Sequence, residues 1–191
     1  MKRRDYLKSI FVLGGLSLTS VSVYKWFEIS RHVDVKQIAD KRPVIAELAE
    51  MIIPRTDTPG AKDAGVPDYI VNVMIHCASV KEKNRFLSGI REIEDYTSGK
   101  FGKDFLKCTP AEKSAALKYV AGHARFSYPI FNKINDKFLG MPFYPKLKGL
   151  VVEGFCLSEQ GATKALAYDY IPGSYEACIP LQPHQKSWAT K

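Results

Sequence analysis

The sequence predicts an all-α protein, a compact bundle of about six helices closed by an irregular proline- and tyrosine-rich C-terminal arm. Three observations carry this. Apolar residues recur at i, i+3, i+4 and i+7 in segment after segment; no stretch sustains the two-residue alternation of a half-buried strand; and prolines and capping residues stand at the borders of the periodic segments. No repeat of twenty to fifty residues appears. The 191 residues, 46% of them hydrophobic, suit one domain and exclude a disordered, collagen-like or polytopic membrane chain. A core of roughly 150 residues needs neither metal nor disulfide to fold.

The elements follow in order. The first helix is expected over 43–53, with Pro43 at its first position and Val44, Ile45, Leu48, Met51 and Ile52 on one face, and Pro54 ends it. A second starts at Pro67 and lines up Ile70, Val73, Met74 and Cys77. A third, over 83–97, turns Phe86, Leu87, Ile90, Ile93 and Tyr96 inward and stops at Ser98 and Gly99. Thr109, Pro110 and Glu112 then form a capping box for a helix to about residue 121, because the threonine hydroxyl and the glutamate carboxylate each satisfy an orphan amide at the other's position. A fifth helix is expected over 128–138, and a sixth over 145–158 aligns Leu147, Leu150, Val151, Gly154 and Phe155.

Ahead of these lies an address. MKRRDYLK, residues 1–8, is basic, and SIFVLGGLSLTSVSV, residues 9–23, carries no charge: the charged and apolar regions of an export signal. Arg3, Arg4, Tyr6, Leu7 and Lys8 resemble the twin-arginine signal, with Lys2 and Tyr6 as its departures. The segment is either cleaved, at a small-x-small site of Ser20 and Ser22, or retained. Residues 9–27 span about 28 Å as a helix, long enough for an anchor with Tyr24, Lys25 and Trp26 at the far interface. The expected organisation is therefore signal or anchor over 1–27, linker over 28–42 and a helical domain over 43–191.

Two segments are irregular. PRTDTPGA, residues 54–61, joins the first two helices with two prolines, a glycine, Arg55 and Asp57, a composition that fixes backbone geometry. YDYIPGSYEACIPL, residues 168–181, is an arm whose aromatics are buried only if it lies on its own bundle or on another protein.

IIPRTDTPGA over 52–61, followed by Ala64, Gly65, Val66 and Pro67, is similar to the opening of the gluconate 2-dehydrogenase subunit 3 family. GFCLSEQGAT over 154–163, IPGSY over 171–175 and CIPL over 178–181 are similar to its close. The resemblance implies a non-catalytic small subunit that escorts, stabilises and positions an FAD-dependent catalytic subunit of the glucose-methanol-choline type. That partner would oxidise a sugar, a polyol or gluconate, and a cytochrome c subunit with haem would take the electrons onward. It also implies passage of the complex through the twin-arginine translocase to the periplasm, with association to the inner membrane. The residues expected to hold the interface are Arg55, Asp57, Pro59, Ser158, Glu159, Tyr170, Pro172, Gly173 and Tyr175. A local ion pair between Arg55 and Asp57 and contact with the partner are both open.

The residues read alone agree with a chain that carries no chemistry of its own. There is no G-x-G-x-x-G, no phosphate-binding glycine loop, no C-x-x-C-H and no H-E-x-x-H. His32, His76, His123 and His184 lack ligand spacing, and His76 beside Cys77 points about 100° away from it on a helix. No catalytic, cofactor or metal residue is expected. The four cysteines allow Cys77–Cys108 and Cys156–Cys178 in an oxidising compartment, with buried free thiols as the alternative. The formal net charge of +8 includes +3 in the first eight residues; the rest favours solubility, anionic lipid headgroups or an acidic partner, and no nucleic-acid motif accompanies it. The competing class is a stand-alone exported sugar-binding protein or enzyme that uses the tyrosine arm as a stacking platform.

Overall fold

The structure is a computed structural model that describes residues 33–124 and 140–171, with 173, 178, 180–181 and 183–189. Arg3, Arg4, Tyr6 and Leu7, expected to form a twin-arginine signal, the helix expected over 128–138, and Pro172 and Tyr175 lie outside the described residues.

Helix α1 (Val35–Asp40) occupies part of the stretch expected to be a linker. Six residues with one buried apolar side chain, Ile38, give little periodicity to read. The helix is started instead by Asp34, whose carboxylate accepts from Lys36 N at 3.0 Å. Lys41 ends α1 and caps α2 (Arg42–Ile52), which buries Val44, Ile45, Leu48 and Ala49 and stops before Pro54. Helix α3 (Val66–His76) carries Pro67 in its first turn and buries Ile70, Val71 and Met74, while Cys77 just beyond its end is exposed rather than on the apolar stripe.

Helix α4 (Val80–Phe101) is longer at both ends than the expected 83–97. Ser79 and Glu82 form a second capping box, with Ser79 N donating to Glu82 Oε2 at 3.0 Å and Glu82 N to Ser79 Oγ at 3.3 Å. At the other end Gly102, at φ +65°, takes the left-handed position that stops the helix, so Gly99 is simply carried within it. A 3₁₀ turn (Phe105–Lys107) plugs Phe105 between α2 and α4. The Thr109 and Glu112 box opens α5 (Pro110–His123) as expected, with Thr109 N to Glu112 Oε2 at 2.7 Å.

Helix α6 (Phe143–Leu157) begins two residues before Pro145, whose missing N–H costs nothing in a first turn. It packs against α2, α3, α4 and α5 and is the middle of the bundle. Leu147 and Val151 are fully buried, and Phe143 meets Phe86 edge-on at 5.1 Å between ring centroids. A π-helical turn (Gly161–Ala165) follows, and the only β pairing among the described residues is a single parallel bridge between Ala167 and Trp188. The all-α class holds.

Candidate functional site

The loop after α2 is organised by a residue the sequence did not single out. Glu50, in the last turns of α2, accepts from Arg55 N with Oε1 at 3.0 Å and from Lys62 N with Oε2 at 2.9 Å, so one carboxylate pins both ends of the 55–62 turn. Ala61 N donates to Ile53 O at 2.9 Å and closes the base. Gly60 is buried against that carboxylate: a Cβ there would strike Glu50 Oε1 and stand 2.7 Å from Arg55 N. Only glycine fits so close an approach. At the tip, Thr56 Oγ1 donates to Asp57 Oδ1 at 2.9 Å and Thr56 N to Thr58 O at 3.1 Å.

Arg55 and Asp57 do not pair with each other. The Arg55 guanidinium reaches Asp63 Oδ1 at 3.6 Å, while Asp63 Oδ2 accepts from Gly60 N at 3.1 Å. Both Arg55 and Asp57 are exposed, and Pro59 is half-buried beside them. Lys62 reaches back to Glu47, which also holds Lys113 of α5 at 2.9 Å, tying loop, α2 and α5 together. Hydrogen bonds from Lys62 and Lys113 hold the Glu47 carboxyl below its usual range.

Two residues past the first of the two family-like segments, Tyr69 touches the second at Gly154. The loop runs directly into α3, and the Tyr69 ring lies on Gly154 of α6, where a Cβ would come within 2.6 Å of Tyr69 Cδ1. Burial, and then the neighbouring Glu153 carboxylate, raise the Tyr69 phenol above its ordinary value. Four residues on from Gly154, Ser158 caps α6, and its hydroxyl donates to Phe155 O at 2.7 Å and accepts from Gly161 N at 3.0 Å. That hydroxyl turns the chain from α6 into the π turn. Glu159 is exposed next to it.

Beyond the turn, apolar side chains stand in solvent. Tyr170 is 82% exposed, Ile171 74% and Leu181 86%, so these described residues of the arm do not lie on its own bundle. Gly173 is exposed with open space around it. Ala167 N donates to Ser187 O at 2.9 Å and Ala189 N to Ala167 O at 2.8 Å, bringing the tail back to the arm's root. The sequence offered no signal for this pairing, because two backbone bonds across twenty residues need no particular side chain.

All four cysteines are free thiols, so neither Cys77–Cys108 nor Cys156–Cys178 is joined. Cys108 is buried and its Sγ donates to Asp104 O at 3.4 Å; Cys77, Cys156 and Cys178 are exposed. Among the described residues no group of three or more His, Cys, Asp or Glu is placed to hold a metal ion, and no helix is long and apolar enough to cross a membrane.

The family model for gluconate 2-dehydrogenase subunit 3 matches residues 39–173, from the end of α1 through the π turn and into the arm. No curated protein and no solved structure matches the chain. With the match covering well over half of its length, the chain belongs to the gluconate 2-dehydrogenase subunit 3 family.

Proposed function

We propose that the chain is the non-catalytic small subunit of an exported FAD-dependent sugar, polyol or gluconate dehydrogenase, which it escorts through the twin-arginine route, stabilises and positions. Family membership supports its place in a dehydrogenase complex, and Arg3 and Arg4 support the route. One observation carries the interface: Tyr170, Ile171 and Leu181 are left in solvent on an arm whose root is pinned. Covering three such side chains is worth several kcal/mol, at roughly 1.5–3 kcal/mol each when fully buried. A flavoprotein subunit in that place would bring its own FAD, and a cytochrome c subunit would take its electrons. The exposed Arg55, Asp57 and Glu159 would supply polar contacts to the same partner.

The test is affinity purification from the exported fraction, wild type beside Arg3→Lys/Arg4→Lys, with mass spectrometry and a flavin absorbance scan. A large flavoprotein should co-elute with the wild type, and both should stay in the cytoplasm in the double variant. A chain that leaves the column alone and colourless, yet is exported, overturns the proposal. Asp57→Lys should weaken the complex and leave helicity intact, since Asp57 bonds only to its own loop tip among the described residues. Unchanged affinity would remove Asp57 from the interface.

A further inference from the structure

We infer that residues 183–189 are a strap that fixes the root of the arm in the shape its partner subunit binds; the docking half of this rests on the function proposed above. Three bonds contribute to the strap. Besides the two that join Ala167 to Ser187 and Ala189, Lys186 Nζ donates to Lys164 O at 2.9 Å, placing an ammonium on a carbonyl of the last π-helical turn, where unsatisfied carbonyls and the negative end of the helix dipole gather. Leu166 N donates to Gly161 O at 3.0 Å, so the residue before the bridge is itself locked to the turn.

The strap does not belong to the core. Lys186, Ser187 and Trp188 are exposed, and none of residues 183–189 is among the buried residues of the hydrophobic cluster. Its effect is therefore geometric. It closes the loop between Ala167 and Trp188 at its base, and Tyr168, Tyr170 and Ile171 follow the closure within four residues. Closing a loop before binding removes part of the ordering entropy that docking would otherwise cost. The family match ends at 173, so the strap lies outside what the family model covers.

The test uses the full exported chain and two variants, deletion of 183–191 and Ala189→Pro, which lacks the N–H that Ala167 O accepts. Hydrogen exchange on the isolated chain reads the strap alone. The Ala167 amide should exchange at least about tenfold faster in the deletion, while Leu150 and Val151 in α6 keep their protection. Partner affinity measured on the same proteins should fall about tenfold in both variants. A wild-type Ala167 amide that exchanges like an unprotected peptide overturns the strap. A deletion that frees Ala167 and leaves affinity unchanged overturns its role in docking while the partner reading stands. A wild type that binds no dehydrogenase subunit overturns that reading and the docking half with it, and the exchange rates still judge the strap separately.

Discussion

Glu50 shows how a single carboxylate replaces secondary structure. The 55–62 turn contains no helix or strand to satisfy its amides, and two of them are taken by Glu50 Oε1 and Oε2. Glu50→Ala should cost about 1–2 kcal/mol in urea denaturation, since two amides lose a charged acceptor at the protein surface, where water recovers part of the loss. Glu50→Gln keeps one acceptor and should lose about half as much; equal losses in both variants would show that the carboxylate acts by charge alone. Gly60→Ala should destabilise by about 1–3 kcal/mol through the collision with that carboxylate and Arg55 N. The sequence made Arg55, Asp57 and Pro59 visible through their unusual company, whereas Glu50 looks like any glutamate on the polar side of an amphipathic helix. Its signal was its distance from the turn, within reach of two amides that prolines and tight geometry leave without local partners. The cysteines differ in kind. Their spacing permitted pairing, but pairing depends on how distant elements approach, and the free thiols of the structure predict alkylation at all four positions in denatured, unreduced protein. A Cys156–Cys178 cross-linked peptide in that digest would contradict the structure.

At the scale of elements, stability divides between caps and buried faces. Thr109→Ala removes the acceptor of Glu112 N and should cost about 1 kcal/mol; Ser79→Ala should cost a similar amount at the start of α4. Leu147→Ala, in α6, should cost about 2–5 kcal/mol, because truncating its fully buried side chain leaves a cavity in the core. Thermal or urea unfolding of the three variants orders them, and a cap variant as damaging as Leu147→Ala would mean that the helices are held by their ends. The same division explains which elements were readable. The faces of α2, α3 and α6 announce themselves through 3.6-residue spacing, and the α5 cap through Thr109, Pro110 and Glu112. The α4 start was set by Ser79 and Glu82, an equally good box without a proline to mark it. Helix α1 depends on Asp34 and one buried isoleucine, too little pattern to distinguish it from a linker.

For the whole molecule, ion pairs between elements decide how the bundle responds to acid. Glu82 of α4 meets Lys146 of α6 at 2.9 Å, Glu47 of α2 holds Lys62 and Lys113, and Asp68 of α3 takes Arg42 of α2 in a two-pronged bond at 2.6 and 2.8 Å. These pairs tie α4 to α6, α2 to the loop and α5, and α2 to α3, while the packing of Tyr69 on Gly154 joins α3 to α6, a meeting that no local pattern encodes. All three carboxyls are held low by these cations, and Glu82 falls from 4.5 to about 2, through Lys146 first and then the Ser79 amide. A carboxyl whose folded value lies below its unfolded one stabilises the fold fully above the unfolded value and loses that contribution as pH falls through the folded one. Stability should therefore decline between about pH 4.5 and 2 as these groups take up protons. Glu82→Gln should lower stability at pH 7 by about 1 kcal/mol, a value set by the pair's partial exposure. Its curve should then descend less steeply than the wild type's and converge with it near pH 2. Denaturant midpoints measured at half-unit steps of pH give both slopes. Parallel curves would mean that Glu82 keeps its ordinary acidity and that the lock between α4 and α6 is apolar.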